Sequence, residues 1–260
     1  MKPRVIILRT AGTNCDYETA HAFGISGAEV ELVHVNRLKR KEKELLDYQI
    51  LVLPGGFTYG DDISAGKVLS NELKFRLGDD FERFVEEGRL VLGICNGFQV
   101  LVKMGYLPDL SGRRDQEVTL SYNDSGKFED RWVYLKESGS GKCIFTQDCE
   151  DLIYLPVAHS EGKFVPRDEM VLKTLRDGGQ IVLTYVNRDG ESSGYPDNPN
   201  GSIDGVAGIC DRTGRIFGLM PHPERHTHST HHPRWTREGL REPDGLIIFR
   251  NAVRFAKQML

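Results

Sequence analysis

Residues 89–99 read Arg-Leu-Val-Leu-Gly-Ile-Cys-Asn-Gly-Phe-Gln, and no other stretch of the chain limits its fold so tightly. An apolar run ends in Gly-x-Cys-x-Gly and passes at once into Phe98, Gln99, Val100 and Leu101. The pattern predicts a strand that turns sharply into a helix, with glycines where Cβ atoms would clash in so tight a turn. Such an elbow lifts one side chain, the Cys95 thiol, to a helix N-terminus, where unpaired N–H groups and the helix dipole favour thiolate. A free cysteine is more often a small buried hydrophobe, and Cys15, Cys143, Cys149 and Cys210 are read that way. The flanking glycines set Cys95 apart as a candidate nucleophile.

The elbow belongs to a longer alternation. Residues 5–8 form a short apolar run, and 16–23 read as a helix with Asn14 or Asp16 as its cap. Residues 29–35 alternate polar and apolar, and 49–53 lead into Pro54-Gly55-Gly56. Leu73, Leu77, Phe81, Phe84 and Val85 recur at helical spacing over 72–85, with Gly78 splitting that stretch in two. Strands alternating with helices predict an α/β fold: a mostly parallel central sheet flanked by helices. From about Gln116 the character changes. Residues 116–122, 131–135, 152–157, 181–186, 206–210 and 215–220 read as strands with few helices between them, a β-rich second half. A helix over 244–259 closes the chain. Without a linker or repeat to divide it, residues 1–260 are expected to form a single domain, with a histidine-rich loop and closing helix over about 225–260.

Composition narrows the function classes. With 39% hydrophobic and 28% charged residues the chain is an ordinary globular one, and a net charge of −4 without a basic stripe gives no nucleic-acid surface. No apolar run approaches the roughly 20 residues that span a bilayer, so no membrane is expected. Five scattered cysteines without a Cys-x-x-Cys pair suit a cytoplasmic protein with reduced thiols.

A thiol nucleophile needs a base and a place for the oxyanion. Met220 and His222 each precede a proline, which pushes both toward extended backbone. Residues i and i+2 of an extended segment point the same way, so Glu224 can take one imidazole nitrogen of His222 and leave the other for a thiol. Gly55 and Gly56, directly after a strand, let backbone N–H groups approach a substrate, and the Asn96 N–H is a second candidate donor. Each signal taken singly also fits an ordinary turn.

Together, and in this order, they form a pattern that resembles the triad-type (class I) glutamine amidotransferases, and more closely the glutaminase subunits of phosphoribosylformylglycinamidine synthases of purine biosynthesis. The residues that carry the resemblance are Pro54-Gly-Gly-Phe-Thr-Tyr-Gly-Asp61, Gly93-Ile-Cys-Asn-Gly-Phe-Gln99, Ala158-His-Ser-Glu-Gly162, Asn198-Pro-Asn-Gly-Ser202 and Met220-Pro-His-Pro-Glu-Arg225. It implies a flavodoxin-like sheet, Cys95 as nucleophile, His222 as general base and acid, and Glu224 as the residue orienting the imidazole. It further implies backbone N–H groups of Gly56 and Asn96 on the oxyanion, with Gln99, His159 and Ser160 on the amino-acid end of glutamine. Thr58 stands where the family usually has serine, and residues 61–66 and the tail after Arg225 also depart from its shorter members. The implied partners are a large ATP-dependent synthase subunit together with a small accessory one. No cofactor is expected in this chain, which has no Gly-x-x-x-x-Gly-Lys-[Ser/Thr] loop; ATP and magnesium are expected on the synthase. Activity is expected to be weak until the partner docks.

Two other readings remain. A different Cys-elbow hydrolase, such as a γ-glutamyl peptidase or a deglycase-like protein, would use Cys95 otherwise. A non-enzymatic metal-binding protein would use the dense histidines His222, His226, His228, His231 and His232. Their irregular spacing and the lack of a neighbouring cysteine argue against a defined ligand set, so no metal is expected.

Overall fold

The computed structural model describes residues 1–138 and 140–259. Its first part alternates: β1 (Arg4–Arg9), α1 (Asp16–Ile25), β2 (Glu29–His34), α2 (Val35–Lys39), β3 (Ile50–Leu53), α3 (Lys67–Arg76), α4 (Gly78–Glu86), β4 (Leu90–Ile94) and α5 (Asn96–Met104). There follow β5 (Val118–Tyr122), β6 (Glu129–Glu137), β7 (Leu152–His159), β8 (Glu161–Pro166), α6 (Glu169–Asp177), β9 (Ile181–Val186), β10 (Val206–Cys210) and β11 (Ile216–Leu219). The chain closes with α7 (Trp235–Glu238) and α8 (Leu246–Ala256).

Among the described residues one sheet runs β2-β1-β3-β4-β11-β10-β9-β6-β7, and β5 pairs with β8 apart from it. From β2 to β11 neighbouring strands are parallel. From β11 onward they are antiparallel. The expected α/β sheet and the β-rich second half are therefore one continuous sheet whose sense of pairing changes at β11. β3 and β4 are buried at every position, which is why they read as unbroken apolar runs rather than alternating ones. α8 docks through Phe249, whose ring meets Phe23 of α1 edge-on at 5.0 Å. Asn251 of the same helix caps the carbonyls of Phe145 and Gln147.

The helical stretch expected over 72–85 is two helices broken at Leu77, whose φ of −131° leaves the helical region just before Gly78. Four readings need correction. Neither Asn14 nor Asp16 caps α1: Cys15 holds the N-cap position without a side-chain bond, and Asp16 instead pairs with Arg9 at 2.5 Å. α3 begins at Lys67, ahead of the expected start, because Gly66 turns the chain into it with φ +74°. The second half holds a further strand and helix, β8 and α6, and Asp168 caps α6 by accepting from Val171 N at 2.9 Å. The closing helix is shorter than expected and ends in a single tighter turn, Lys257–Met259.

Candidate active site

Cys95 sits at the end of β4 with φ +50° and ψ −104°, a conformation that side chains rarely adopt and that costs about 1–3 kcal/mol. Two bonds hold it there: Cys95 N donates to Leu219 O at 2.8 Å, and Gln99 N donates to Cys95 O at 3.1 Å. The flanking glycines are set by close packing as well as by the turn. A Cβ on Gly97 would lie 1.8 Å from Leu53 O, and one on Gly93 would lie 2.6 Å from Leu101 Cδ1 and 2.8 Å from Gly97. The elbow is wedged between β3 and α5, and its thiol is buried with Sγ 3.8 Å from Ala158 O.

β11 pairs directly with β4, so the segment leaving β11 emerges beside the elbow. It carries His222, pinned by His222 N to Pro156 O at 2.8 Å. As the i, i+2 argument predicts, Glu224 faces the same way: His222 Nδ1 and Glu224 Oε1 are 2.6 Å apart, and both side chains are buried. With Nδ1–H donating to the carboxylate, Nε2 is left facing the thiol side of the ring without a hydrogen-bond partner. Burial opposes charging of the ring, but the Glu224 carboxylate and the neighbouring thiols Cys95 and Cys15 outweigh it and hold His222 well above the usual histidine value. The imidazole thus stands beside the Cys95 thiol as a base within the same buried cluster.

The oxyanion candidates lie on the same side. Gly56 has φ +146°, and a Cβ there would meet Asn14 N and Gly12 O at 2.8 Å. Gly55 is flush against the ring: a Cβ would come within 2.8 Å of His222 Cε1. Asn96 opens α5, where first-turn N–H groups lack intrahelical partners. Its side chain accepts from Thr58 Oγ1 at 2.6 Å and donates to Asp61 Oδ1 and Gln99 Oε1, both at 3.0 Å. The Thr58 hydroxyl thus does what the family's serine hydroxyl could do. Gln99 donates its amide to Glu161 O at 2.5 Å and so ties α5 to β8.

This network has a measurable consequence. Burial, then the Glu161 carboxylate, pushes Asp61 up to about 6 from its ordinary 3.8. The folded value lies above the unfolded one, so the group costs nothing below about pH 4 and penalises the fold as pH rises through 6. Asp61→Asn keeps the acceptor for Asn96. Its stability advantage over wild type is expected to grow by about 1 kcal/mol between pH 4 and pH 8, after discounting for partial exposure. Urea melts at the two pH values measure it, and an advantage that does not change with pH contradicts the assignment.

His159 is buried and Ser160 exposed, at the turn between β7 and β8. Burial and the charged His222 hold His159 down at about 3, so its ring is neutral. Its Nδ1 meets Asn123 Oδ1 at 3.2 Å and therefore carries the proton. The ring lies on Gly162, where a Cβ would be 2.4 Å from Cε1. Asn200, fully buried, donates to Gly162 O at 2.9 Å and accepts from Ser202 Oγ at 2.7 Å. The Asn198-Pro-Asn-Gly-Ser202 element is thus a polar plug that fixes the His159 turn.

Three contributors are not among the sequence candidates: Asn123, Asn200 and Cys15. The first two lie in turn-rich stretches whose polarity gives no hint of burial. Cys15 follows Gly12-Thr13-Asn14, a turn signal after β1, which was the available hint that its thiol leaves the core. Arg225 Nη2 donates to its sulfur at 3.1 Å. The tail histidines do not converge. His226 bonds Tyr154 O through Nδ1 at 3.0 Å and packs edge-on to Trp132, and burial holds it down at about 4. Among the described residues, none of His226, His228, His231 and His232 joins a group of three metal-ligand side chains.

A strained thiol elbow on a parallel strand, served from the next strand by a His–Glu pair, defines a class I glutamine amidotransferase. A family model described as the CobB/CobQ-like glutamine amidotransferase domain matches residues 2–256, and the chain belongs to that family. More particular likenesses follow. The phosphoribosylformylglycinamidine synthase subunit PurQ of Dehalococcoides mccartyi is 50% identical over 260 residues, covering 99% of both chains. The proteins of that name from Treponema denticola and Methanococcus maripaludis are 45% and 42% identical, covering 86% and 97% of this chain and 88% and 97% of theirs. A solved chain titled as the structure of PurLQS from Thermotoga maritima superposes with a TM-score of 0.74 at 32% identity, covering 98% of this chain and 99% of that one. A glutamine amidotransferase from the same organism, 18% identical with a TM-score of 0.52 over 100% of this chain and 94% of that one, shares the fold. Among the described residues no helix is long and apolar enough to cross a membrane.

Proposed function

We propose that this chain is the glutaminase subunit of a phosphoribosylformylglycinamidine synthase, releasing ammonia from the side-chain amide of glutamine for use by a synthase partner. The observation that carries the reading is the His222–Glu224 pair, 2.6 Å apart and buried beside the Cys95 elbow. Cys95 thiolate adds to the amide carbon of glutamine, and the carbonyl electron pair moves onto oxygen, held by the N–H groups of Gly56 and Asn96. Charged His222 gives its proton to the amide nitrogen as the C–N bond breaks, and ammonia leaves a γ-glutamyl thioester. Neutral His222 then takes a proton from water, whose oxygen attacks the thioester. The C–S bond breaks, glutamate departs, and the thiolate–imidazolium pair is restored.

Gly55 acts by leaving room for the His222 ring. Gln99 and His159 act on the glutamine end of the site through the turn they brace, and Ser160, exposed at that turn, offers a direct contact. The ligation step takes place on a large ATP-dependent subunit, with help from a small accessory one, and ATP and magnesium bind there rather than here. The five free cysteines suit the reducing cytoplasm as the compartment.

The test is ammonia release from glutamine with and without the synthase partner, its nucleotide substrate and ATP. Partner-stimulated release of at least tenfold is expected. Equal turnover with and without the partner overturns the coupling, and no release in either case overturns the glutaminase.

A further inference from the structure

A second thiol shares the centre of the site. Cys15 is buried at the N-cap of α1, its Sγ donating to Asn14 Oδ1 and receiving Arg225 Nη2, each at 3.1 Å. It meets the His222 ring across Gly55, where a Cβ would lie 2.8 Å from His222 Cε1 and 3.0 Å from Cys15 Sγ. Cys15 Sγ, a ring nitrogen of His222 and a carboxylate oxygen of Glu224 all fall within 4.8 Å of one another. Glu224 Oε2, buried in this cluster, has no hydrogen-bond partner. Buried polar atoms are normally satisfied, so this orphan marks a place with unused donor capacity.

We propose that Cys15, His222 and Glu224 form a binding site for a borderline-soft divalent cation, typified by zinc, whose occupancy withdraws the base from Cys95 and silences the nucleophile. One sulfur, one imidazole nitrogen and one carboxylate oxygen suit zinc, whereas magnesium and calcium prefer oxygen ligands alone. Zinc bond lengths of about 2.0–2.3 Å put neighbouring ligand atoms about 3.3–3.8 Å apart in a tetrahedron, so binding opens the 2.6 Å His222 Nδ1–Glu224 Oε1 hydrogen bond and draws in a sulfur no more than 4.8 Å away. The fourth position takes water. Binding itself needs only these three side chains. The silencing rests on the proposed role of His222, so the two are measured separately.

The probe is zinc chloride titrated calorimetrically into the full-length protein at pH 8. The background is His228→Ala/His231→Ala, which removes a pair of exposed histidines with rings 5.9 Å apart. One zinc per chain is expected, unchanged in Cys95→Ala and at least tenfold weaker in Cys15→Ala. Should Cys15→Ala fold poorly, Cys15→Ser serves: zinc is expected to raise the melting temperature of the parent and not of this variant. Equal affinity with and without Cys15, loss in Cys95→Ala alone, or no stoichiometric binding each overturns the site. Binding with ammonia release unimpaired leaves the site standing and overturns the silencing, and with it the assignment of His222 as base.

Discussion

Cys95→Ala is expected to lower glutamine-dependent ammonia release at least about 10⁴-fold while leaving the fold intact, in line with removal of a nucleophile from other triads. The size of the loss follows from the geometry. The elbow presents one sulfur at the end of β4 and the start of α5. Cys15 is not on the elbow: its sulfur lies across Gly55, at the N-cap of α1. Alanine keeps the φ of +50° that the site already sustains, so thermal stability should change by no more than about 1 kcal/mol. Paired ammonia assays and melting curves check both halves. Release that survives the substitution would remove the thioester mechanism.

Glu224→Gln comes next, with an expected fall in kcat of about 10²–10⁴-fold. The carboxylate accepts from His222 Nδ1 at 2.6 Å and so leaves Nε2 for the thiol. A carboxamide can turn its NH₂ toward Nδ1 instead, which moves the ring proton to the wrong nitrogen. The carboxylate is also the strongest of the influences that keep His222 charged against its burial. Without it, the ring should lose its proton at lower pH, and the alkaline limb of the activity profile should move to lower pH. A purely structural role for Glu224 would lower activity without moving that limb.

How much of this is legible in the sequence depends on whether a residue's neighbours announce it. Gly-x-Cys-x-Gly and Pro-His-Pro-Glu carry their geometry locally, through missing Cβ atoms and prolines that enforce extended backbone, so Cys95, His222 and Glu224 can be read directly. The sheet order cannot, because β11 inserts beside β4 by pairing distant segments. Glu161–Pro166 has only Phe164 and Val165 as strong strand formers and is held as a strand by β5, a partner that no local pattern names. Gln99 reads as a substrate contact from its place after the elbow, yet its amide is drawn to Glu161 O by that same unread strand. Cys15 illustrates the limit most clearly. Nothing in Asn-Cys-Asp indicates that the His222 ring lies near it, since that approach exists only once β1, β3, β4 and β11 are laid in order.

The hydrogen bond from Cys95 N to Leu219 O joins the strand that ends in the Cys95 elbow to the strand that leads into His222, in one parallel register. Between them in the chain, β6, β7, β9 and β10 extend the sheet to its far edge and back, while β5 and β8 pair apart from it. The excursion therefore has its two ends clamped beside each other, and it sends one strand, β7, back to the site, where Pro156 O holds His222 N at 2.8 Å. Apart from the stretch around Pro156, Ala158 and Glu161, that excursion can change in length or surface while Cys95 and His222 stay in register. The catalytic centre is in this sense a fixed buckle on an adjustable strap.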